Sequence, residues 1–366
     1  MRNKIFSFII FMQVVAVYSQ QLLVETTLTP TEIVQNTLIG AGITATNVQF
    51  NRSSASALAI RDQIGTFYNG LGTNLGLNSG VILSTGKVQF AVGPNNMNGA
   101  AIQTAIPISN DIDLAVLSSS TIQNIAVVEF DFVASVGQVY LDFIYASEDY
   151  PEYVNSVFND VMGVFLSGPG ISGPFSNNAK NIAVLPSTSI TVSTNTINNG
   201  IGNNGPCINC FFYVNNGTGT TPAVNTGIQF DGFTTEINTS ATVETGQTYH
   251  LKIAIGNVSD NLYDSAIFIK ANSFKTATLE NVNFETSKMT ISPNPASNTI
   301  QIKLKDTSDS IGKITLVSVL GKQTDVSIKS GGNETLIDVS SLSKGFYFVE
   351  VKTKNNLMHV QKLVIN

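Results

Sequence analysis

Acidic side chains that could do chemistry are concentrated in one segment, which runs from Tyr145 to Gly173 and reads YASEDYPEYVNSVFNDVMGVFLSGPGISG. Charged residues make up only 12% of the whole chain, so this density of carboxylates is unusual for it. Carboxylates at such density bind metal ions, serve as the acid and base of a hydrolase, or cap turns at strand ends. Each of these roles needs different partners elsewhere in the chain.

Calcium binding explains the acids better than catalysis does. Ca²⁺ takes about six to eight hard oxygen ligands from carboxylates, amide oxygens and backbone carbonyls, and loops at one end of a β-sandwich can bring these together. The candidate ligands are Glu148, Asp149, Asn159, Asp160, Asp231, Asp260 and Asp264. No EF-hand spacing is present. The same acids could instead cap turns, Asp160 and Asp231 especially, and the sequence leaves both interpretations open.

Catalysis by paired carboxylates would make the protein a polysaccharide hydrolase. Glu148, Asp149 and Glu152 could supply an acid and a base for glycoside cleavage, and three tyrosines of the same segment lie near them. The chain has no Trp and only two His, of which His250 alternates into a predicted strand. No GxSxG elbow is present either. We therefore predict that the protein is not an enzyme, and we keep the hydrolase as an alternative.

The two cysteines, Cys207 and Cys210, lie in GPCINCFFY. One CxxC motif cannot supply the four ligands of a structural zinc site. The Asn/Gly-rich surroundings differ from the βαβ context of a thioredoxin-like redox site. In an exported chain we therefore predict a disulfide that closes the loop between these two residues.

The N-terminus has the pattern of a secretory signal peptide. Arg2 and Lys4 precede an apolar run from Ile5 to Val17, which is too short for a membrane anchor. Residues 1–19 are therefore predicted to engage the Sec translocon, and we expect no transmembrane segment in the mature chain. The net charge is −6 and the isoelectric point is near 5.0, which argues against a nucleic-acid partner.

The elements that must position the acids are mostly β-strands. In IAVVEFDFVA, Phe130 and Phe132 alternate with the outward-facing Glu129 and Asp131, and QVYLDFIYAS alternates in the same way. Many short strands separated by Gly, Asn and Pro predict a large, jelly-roll-like β-sandwich. One or two short helices are expected before it.

The first of these helices is predicted between Thr29 and Gly42, with Thr31 as its cap and Gly40 at its end. A second helical turn is predicted between Ala55 and Asp62.

The end of the chain contains four characteristic segments in a fixed order. The segments SPNPASNTIQI, ITLVSVLGK, IDVSSLSKGFYFVEV and VQKLVIN follow one another between residues 292 and 366. They resemble the type A C-terminal sorting domain of the type IX secretion system of Bacteroidetes. The resemblance implies a small Ig-like β-sandwich at residues 289–366 and recognition by the type IX machinery in the outer membrane. It also implies removal of the domain, followed by release or surface attachment. The composition shift at residues 276–288 predicts a linker.

The larger part of the chain, residues 20–275, resembles the choice-of-anchor L domain. The segments that carry the resemblance are FDFVASVGQVYLDFIYASEDYPEYVNSVFNDVMGVFLSGPGISGPF, KNIAVLPSTSITVSTNTIN, IQFDGFTTEI and TVETGQTYHLKIAIGNVSDNLYDSAIFIKANSF. The resemblance implies a secreted or surface-displayed module without a settled activity. Asn257 stands where an aspartate is common, which could weaken a cation site, and Met162 stands where an aromatic residue is common.

These observations predict a secreted or cell-surface binding or adhesion module that is exported by the type IX system and stabilised by calcium. Its ligand would be an extracellular glycan or a surface protein. The alternatives are a secreted carboxylate-dependent polysaccharide hydrolase and a structural surface protein without a small ligand. Acid pairs across an open groove would favour hydrolysis, whereas acids that converge with backbone carbonyls would favour a metal ion.

Overall fold

The computed structural model describes residues 21–53, 62–101, 108, 110–223, 225, 227–276, 289–305, 310–318, 323–326, 332–354 and 358–366. The predicted signal peptide, nearly all of the predicted linker, and most of the helical turn predicted after Ala55 lie outside these residues. The chain divides into two compact units, Met1–Thr278 and Leu279–Asn366.

The first unit contains two antiparallel sheets, numbered here in chain order. The nine-stranded sheet consists of β1 (Leu23–Glu25), β3 (Ile64–Tyr68), β4 (Gly80–Ser84), β6 (Gln138–Ser147), β9 (Tyr213–Asn215), β10 (Gly232–Thr234), β11 (Ile237–Thr242), β13 (Ser265–Lys270) and β14 (Lys275–Thr276). The five-stranded sheet has the order β2 (Ile43–Phe50), β5 (Ile122–Ala134), β12 (Thr248–Val258), β7 (Val161–Ser167) and β8 (Lys180–Asn181). In the described part of the chain, the prediction of a mainly-β protein is confirmed.

Alternating side chains fill the core between the two sheets. Phe130 and Phe132 of β5 are buried against residues of β6, among them Leu141 and Phe143, as the alternation predicts. The ring of Phe274 packs edge-on against both β5 phenylalanines. Each such ring contributes about 2–3 kcal/mol of stability relative to an exposed one.

The N-terminal helix is shorter than predicted, and its predicted cap is wrong. Helix α1 (Pro30–Ile33) continues as a π-helical turn, Val34–Leu38. Thr29, not Thr31, caps it, because the Thr29 hydroxyl accepts the Glu32 N–H and the Glu32 carboxylate accepts the Thr29 N–H. Gly40 follows the end of the turn, where a Cβ would lie 2.3 Å from the carbonyl oxygen of Asn272.

Short helices and loops cover the outer faces of both sheets. Helix α2 (Leu114–Leu117) buries Leu114 against the outer face of the five-stranded sheet, beside Phe165 and Ala179. The described 3-10 helices are Gly70–Gly72, Val88–Ala91, Ser176–Asn178, Ile201–Asn203 and Cys210–Phe212. None of the helices in the described part of the chain has the length and apolar character that a membrane crossing requires.

The second unit also consists of antiparallel sheets. The three-stranded sheet has the order β15 (Met289–Ser292), β16 (Thr299–Leu304) and β19 (Glu334–Asp338). The four-stranded sheet has the order β18 (Gln323–Val326), β17 (Ile311–Ser318), β20 (Gly345–Thr353) and β21 (Met358–Ile365). Val349 and Val351 of β20 lie in the core with Ile300 and Ile302 of β16.

Candidate functional site

Strand register brings five of the seven predicted calcium ligands to the ends of strands in the first unit. Ser147, the last residue of β6, pairs with Gly232 at the start of β10 and with Ser265 at the start of β13. The acids that flank these three positions are therefore neighbours. The buried acids of this cluster are Glu148 and Asp149 after β6, Asp160 before β7, Asp231 before β10 and Asp264 before β13.

Glu148 has the least compensated carboxylate of the cluster. Its side chain is 1% exposed, and neither carboxylate oxygen meets the geometry of a hydrogen bond with a described residue. Burial raises the pKa of Glu148 well above its usual value, and repulsion by Asp231 raises it further. The backbone N–H of Ala100 and the amide of Gln229 lie close enough to lower that pKa in part. A buried carboxyl in this state must hold a proton or meet a cation.

Only one carboxylate oxygen of Asp231 has a hydrogen-bond partner among the described residues. Its Oδ1 accepts a hydrogen bond of 2.8 Å from Asn95 Nδ2, whereas its Oδ2 is buried without a partner among the described residues. Burial raises the pKa of Asp231 to about 7, against the effect of Asn95. Asn95 is in turn held by Gln229, whose Nε2 donates to Asn95 Oδ1 at 3.3 Å. The sequence analysis missed Asn95 and Gln229, because single amides gave no signal in a chain rich in Asn.

Asp160 acts as a link between strands. Its Oδ1 accepts the backbone N–H of Val258 at 2.8 Å, and its Oδ2 accepts the hydroxyl of Ser265 at 2.6 Å. For this residue the structure therefore matches the capping interpretation. Burial nevertheless raises its pKa well above the usual value. Burial does the same for Asp149, and repulsion by Asp160 adds to it.

The two remaining candidates lie outside the buried cluster and bond to backbone N–H groups, Asn159 across to another loop and Asp260 within its own turn. Asn159 Oδ1 accepts the backbone N–H of Asn195 at 2.8 Å. Asp260 Oδ1 accepts the backbone N–H of Leu262 at 3.0 Å. Asn257 is fully buried and donates from its Nδ2 to the carbonyl of Leu262 at 3.2 Å. It therefore supports the β12–β13 turn.

The cluster contains no group of carboxylates that could bind a metal ion by themselves. Within the described ranges, no three His, Cys, Asp or Glu side chains lie close enough to hold one metal ion. A cation there would need amide and backbone oxygens as further ligands. The described residues also provide no ion pair to Glu148, Asp149, Asp160 or Asp231.

The burial of these acids bears on the hydrolase alternative. Glu148 and Asp149 are 1% and 3% exposed, so this pair does not face an open groove that could admit a polysaccharide. Glu152, the third acid considered for cleavage, lies on the surface.

Cys207 and Cys210 form a disulfide. It closes the turn that precedes β9, with Asn209 in the left-handed region at φ 47°. The neighbouring Phe211 is 89% exposed.

Comparison with known protein families assigns both parts of the chain. Residues 21–275 match the model of the choice-of-anchor L domain. The chain belongs to the choice-of-anchor L family. Residues 290–366 of this choice-of-anchor L protein match the secretion system C-terminal sorting domain. Both resemblances inferred from the sequence are therefore confirmed. The sorting domain marks the protein for type IX export to the cell surface or the extracellular space. Neither is a catalytic type of domain.

Similarity to solved structures is low. A polysaccharide lyase matches with 10% identity and a TM-score of 0.17, over 67% of this chain and 34% of the lyase, so the match spans about a third of the lyase. The CupB2 chaperone of Pseudomonas aeruginosa matches with 10% identity and a TM-score of 0.15, over 63% of this chain and 94% of the chaperone. The BSP domain of a biofilm-associated protein matches with 8% identity and a TM-score of 0.16, over 85% of this chain and 61% of that domain. Among curated proteins, none matches the chain.

Proposed function

We propose that this choice-of-anchor L protein is an extracellular binding or adhesion module whose loop end is held together by Ca²⁺. The observation that carries the proposal is the buried Glu148 carboxylate, which has no ion-pair partner among the described residues, is approached only by the Ala100 N–H and the Gln229 amide, and faces repulsion from Asp231. Export and family membership support an extracellular role. The ligand that we expect is a glycan or a protein on another surface.

Ca²⁺ would relieve the repulsion between Glu148 and Asp231. Each of these residues has at least one buried oxygen without a partner in the described part of the chain. A divalent cation between them would allow both carboxylates to ionise without the cost of two buried negative charges. Amide and carbonyl oxygens would complete the six to eight ligands that Ca²⁺ takes. Two carboxylates with neutral oxygens also agree with the finding that, among the described residues, no three His, Cys, Asp or Glu side chains could hold one metal ion.

The loops that carry the acids also present apolar side chains to solvent. Val157, in the β6–β7 loop, is 66% exposed, and Leu262, in the β12–β13 loop, is 52% exposed. The two loops are joined, because Ser259 Oγ donates to the Val157 carbonyl at 2.8 Å. A cation that holds the buried acids in place would therefore also hold the two loops that carry Val157 and Leu262. Exposed apolar residues on rigid loops favour contact with a partner surface.

The calcium part of the proposal is tested by thermal denaturation of the full chain with Ca²⁺ and with chelator. We expect Ca²⁺ to raise the melting temperature of the wild type and to leave that of Glu148→Gln unchanged, since the amide cannot supply a charged ligand. The matched control is Asp142→Asn, which changes an acid of β6 that is hydrogen-bonded to Asn238 at the surface. A wild type that does not respond to Ca²⁺ contradicts this part.

The adhesion part is tested separately on a glycan array and on immobilised cells, with wild-type protein and Ca²⁺. Binding that Val157→Asp or Leu262→Asp weakens would support a contact surface on the acidic loops. A protein that binds neither the array nor the cells would instead be a structural surface component. No described residue arrangement favours the hydrolase as a second candidate.

A further inference from the structure

A polar cleft of about 120 Å³ lies on the outer face of the five-stranded sheet, away from the buried acids. His250, which lines the cleft, is eight residues before Val258, the residue that contacts Asp160. Eight residues of extended strand span about 26 Å. The cleft, called the sheet cleft below, is therefore a place in the fold distinct from the calcium site proposed above.

Strand register builds the floor of the sheet cleft from two rows of side chains on the same face. β12 lies between β5 and β7, so His250 and Lys252 each have a partner on both sides. The two rows are Asp131–His250–Ser167 and Glu129–Lys252–Phe165. Residues two apart on a strand point to the same face, so the six side chains form a compact grid. Charged, polar and aromatic groups are thereby placed side by side.

His250 lies between two carboxylates of β5. Its Nδ1 is 2.8 Å from Asp131 Oδ1, and its Nε2 is 3.3 Å from Glu129 Oε2. The hydrogen bond with Glu129 raises the pKa of His250, burial lowers it, and the bond with Asp131 raises it again. The net effect is a raised pKa, which favours the protonated form. Both ring nitrogens are donors in that form.

Asp113 connects the loop at the side of the sheet cleft, through Ser176, to strand β12, through Lys252. Its Oδ1 accepts the backbone N–H of Ser176 at 2.7 Å, and its Oδ2 accepts Lys252 Nζ at 2.8 Å. Lys252 also reaches Asp111 at 2.5 Å. Burial raises the pKa of Asp113, but the bonds from Lys252 and Ser176 outweigh it and hold that pKa below its usual value. Asn177 also lines the cleft.

Several groups that line the sheet cleft retain hydrogen-bonding capacity. In the described part of the chain, Glu129 bonds through Oε2 to His250, and no described bond engages its Oε1. The side chains of Ser167 and Asn177 likewise make no hydrogen bond with a described residue. These groups offer acceptors and donors in alternation, and the ring of Phe165 adds an apolar contact to the lining.

We propose that the sheet cleft binds one sugar residue of a neutral glycan. A sugar hydroxyl both donates and accepts hydrogen bonds, so vicinal hydroxyls fit a cleft in which Glu129, Ser167 and Asn177 lie near Lys252 and His250. At about 120 Å³ the cleft is smaller than the usual ligand pocket of about 300–1,000 Å³, so it would hold no more than one ring, with the rest of the glycan in solvent. An anionic ligand would meet the carboxylates of Asp113 and Glu129, and a metal ion would meet Lys252. This inference rests on the proposed role as an extracellular binding module, and it specifies the ligand class.

The test is titration of the full chain with four neutral disaccharides, maltose, cellobiose, lactose and diacetylchitobiose, together with the acidic digalacturonate. Binding is followed by saturation-transfer NMR and calorimetry. We expect at least one neutral disaccharide to bind in the millimolar range. Glu129→Gln and Ser167→Ala should each weaken that binding by about tenfold, because the first replaces a charged acceptor with a neutral amide and the second removes a hydroxyl. Asp142→Asn, on the other sheet, should bind as the wild type does.

The possible outcomes separate this inference from the proposed function. Binding of a neutral sugar that Glu129→Gln and Ser167→Ala leave unchanged would overturn the sheet cleft as the site, while an extracellular binding role would remain. Binding of digalacturonate alone, or of none of the five probes, would also overturn the inference. The calcium response, measured by melting temperature, is unaffected by either result. Ser167→Ala retains the charges of the sheet, so a folding defect in Glu129→Gln does not remove the test.

Discussion

At the scale of single residues, burial without compensation distinguishes Glu148 from the other acids. Asp160 has hydrogen bonds to Val258 and Ser265, whereas Glu148 has no described bond to either oxygen. Residue type alone could not separate them, because both acids stand at strand ends in the same segment. The difference arises from the pairing of β6 with β10 and β13, which places Glu148 beside Asp231.

Glu148→Gln is expected to stabilise the protein in chelator at about pH 8. The folded chain keeps the Glu148 proton to a higher pH than the unfolded chain, whose pKa is near 4.5. Above that pH the folded state binds more protons, so wild-type stability falls as the pH rises towards the raised pKa. The amide of the variant does not titrate, so the stability of the variant does not fall with pH for this reason. The advantage of the variant should therefore grow with pH, as measured by thermal denaturation between about pH 4 and pH 8.

A melting-temperature difference that stays constant across this pH range would contradict the assignment of an uncompensated carboxyl to Glu148. The control for the buffer series is again Asp142→Asn, in which a surface acid is changed. Its difference from the wild type should not follow the pH dependence seen for Glu148→Gln.

At the scale of elements, Lys252 joins strand β12 to the segment that holds helix α2. Its ammonium group bonds to Asp111 and Asp113 and lies 5.6 Å from the centre of the Phe165 ring. Lys252→Met leaves the buried carboxylate of Asp113 without its cation and leaves Asp111 with only Arg52, at 3.9 Å, and it should cost about 3–5 kcal/mol of unfolding free energy. Denaturant titration measures the loss. Lys270→Met, which breaks the exposed pair with Glu236, should cost about 0–1 kcal/mol. An equal loss of unfolding free energy in the two variants would show that the ion pairs of Lys252 contribute no more stability than an exposed pair.

The cap of helix α1 provides a second prediction at this scale. Thr29→Ala removes a hydroxyl that accepts the Glu32 N–H and should cost about 1 kcal/mol of stability. Thr31→Ala removes an exposed hydroxyl inside the helix and should change stability little. Chemical denaturation of both variants gives the comparison. A larger loss in Thr31→Ala would restore the cap that the sequence pattern predicted.

Elements were predicted from the sequence to different degrees. Alternation located β5 and β6, because a period of two is imposed by the pleat itself. The cap was misplaced by two residues, because Thr29 and Thr31 are chemically equal and only the approach of Glu32 decides between them. The sheet cleft was not predicted. Glu129 and Asp131 were placed on the outer face, but their pairing with His250 and Lys252 joins segments about 120 residues apart.

At the scale of the whole molecule, the chain combines a large β unit with a small sorting unit, and each has its own core. The sequence revealed the export route because sorting signals are short motifs that a receptor reads in order. It revealed less about binding, since candidate binding groups are brought together only by strand register. The two proposed binding sites, at the buried acids and at the sheet cleft, are therefore formed by the same sheets but lie towards different ends of β12.

Strand β14, the last described element of the first unit, has a mechanical consequence. Thr276 donates its N–H to the Ala41 carbonyl at 3.0 Å, and its hydroxyl lies 3.2 Å from that of Ser135. β14 pairs with β6 through only Lys275 and Thr276. A module tethered at this end would bear tension first on these few bonds. These bonds would break before the many backbone hydrogen bonds that β12 makes. The C-terminal end of the first unit would therefore unfold first under load, and the proposed binding surfaces would stay folded.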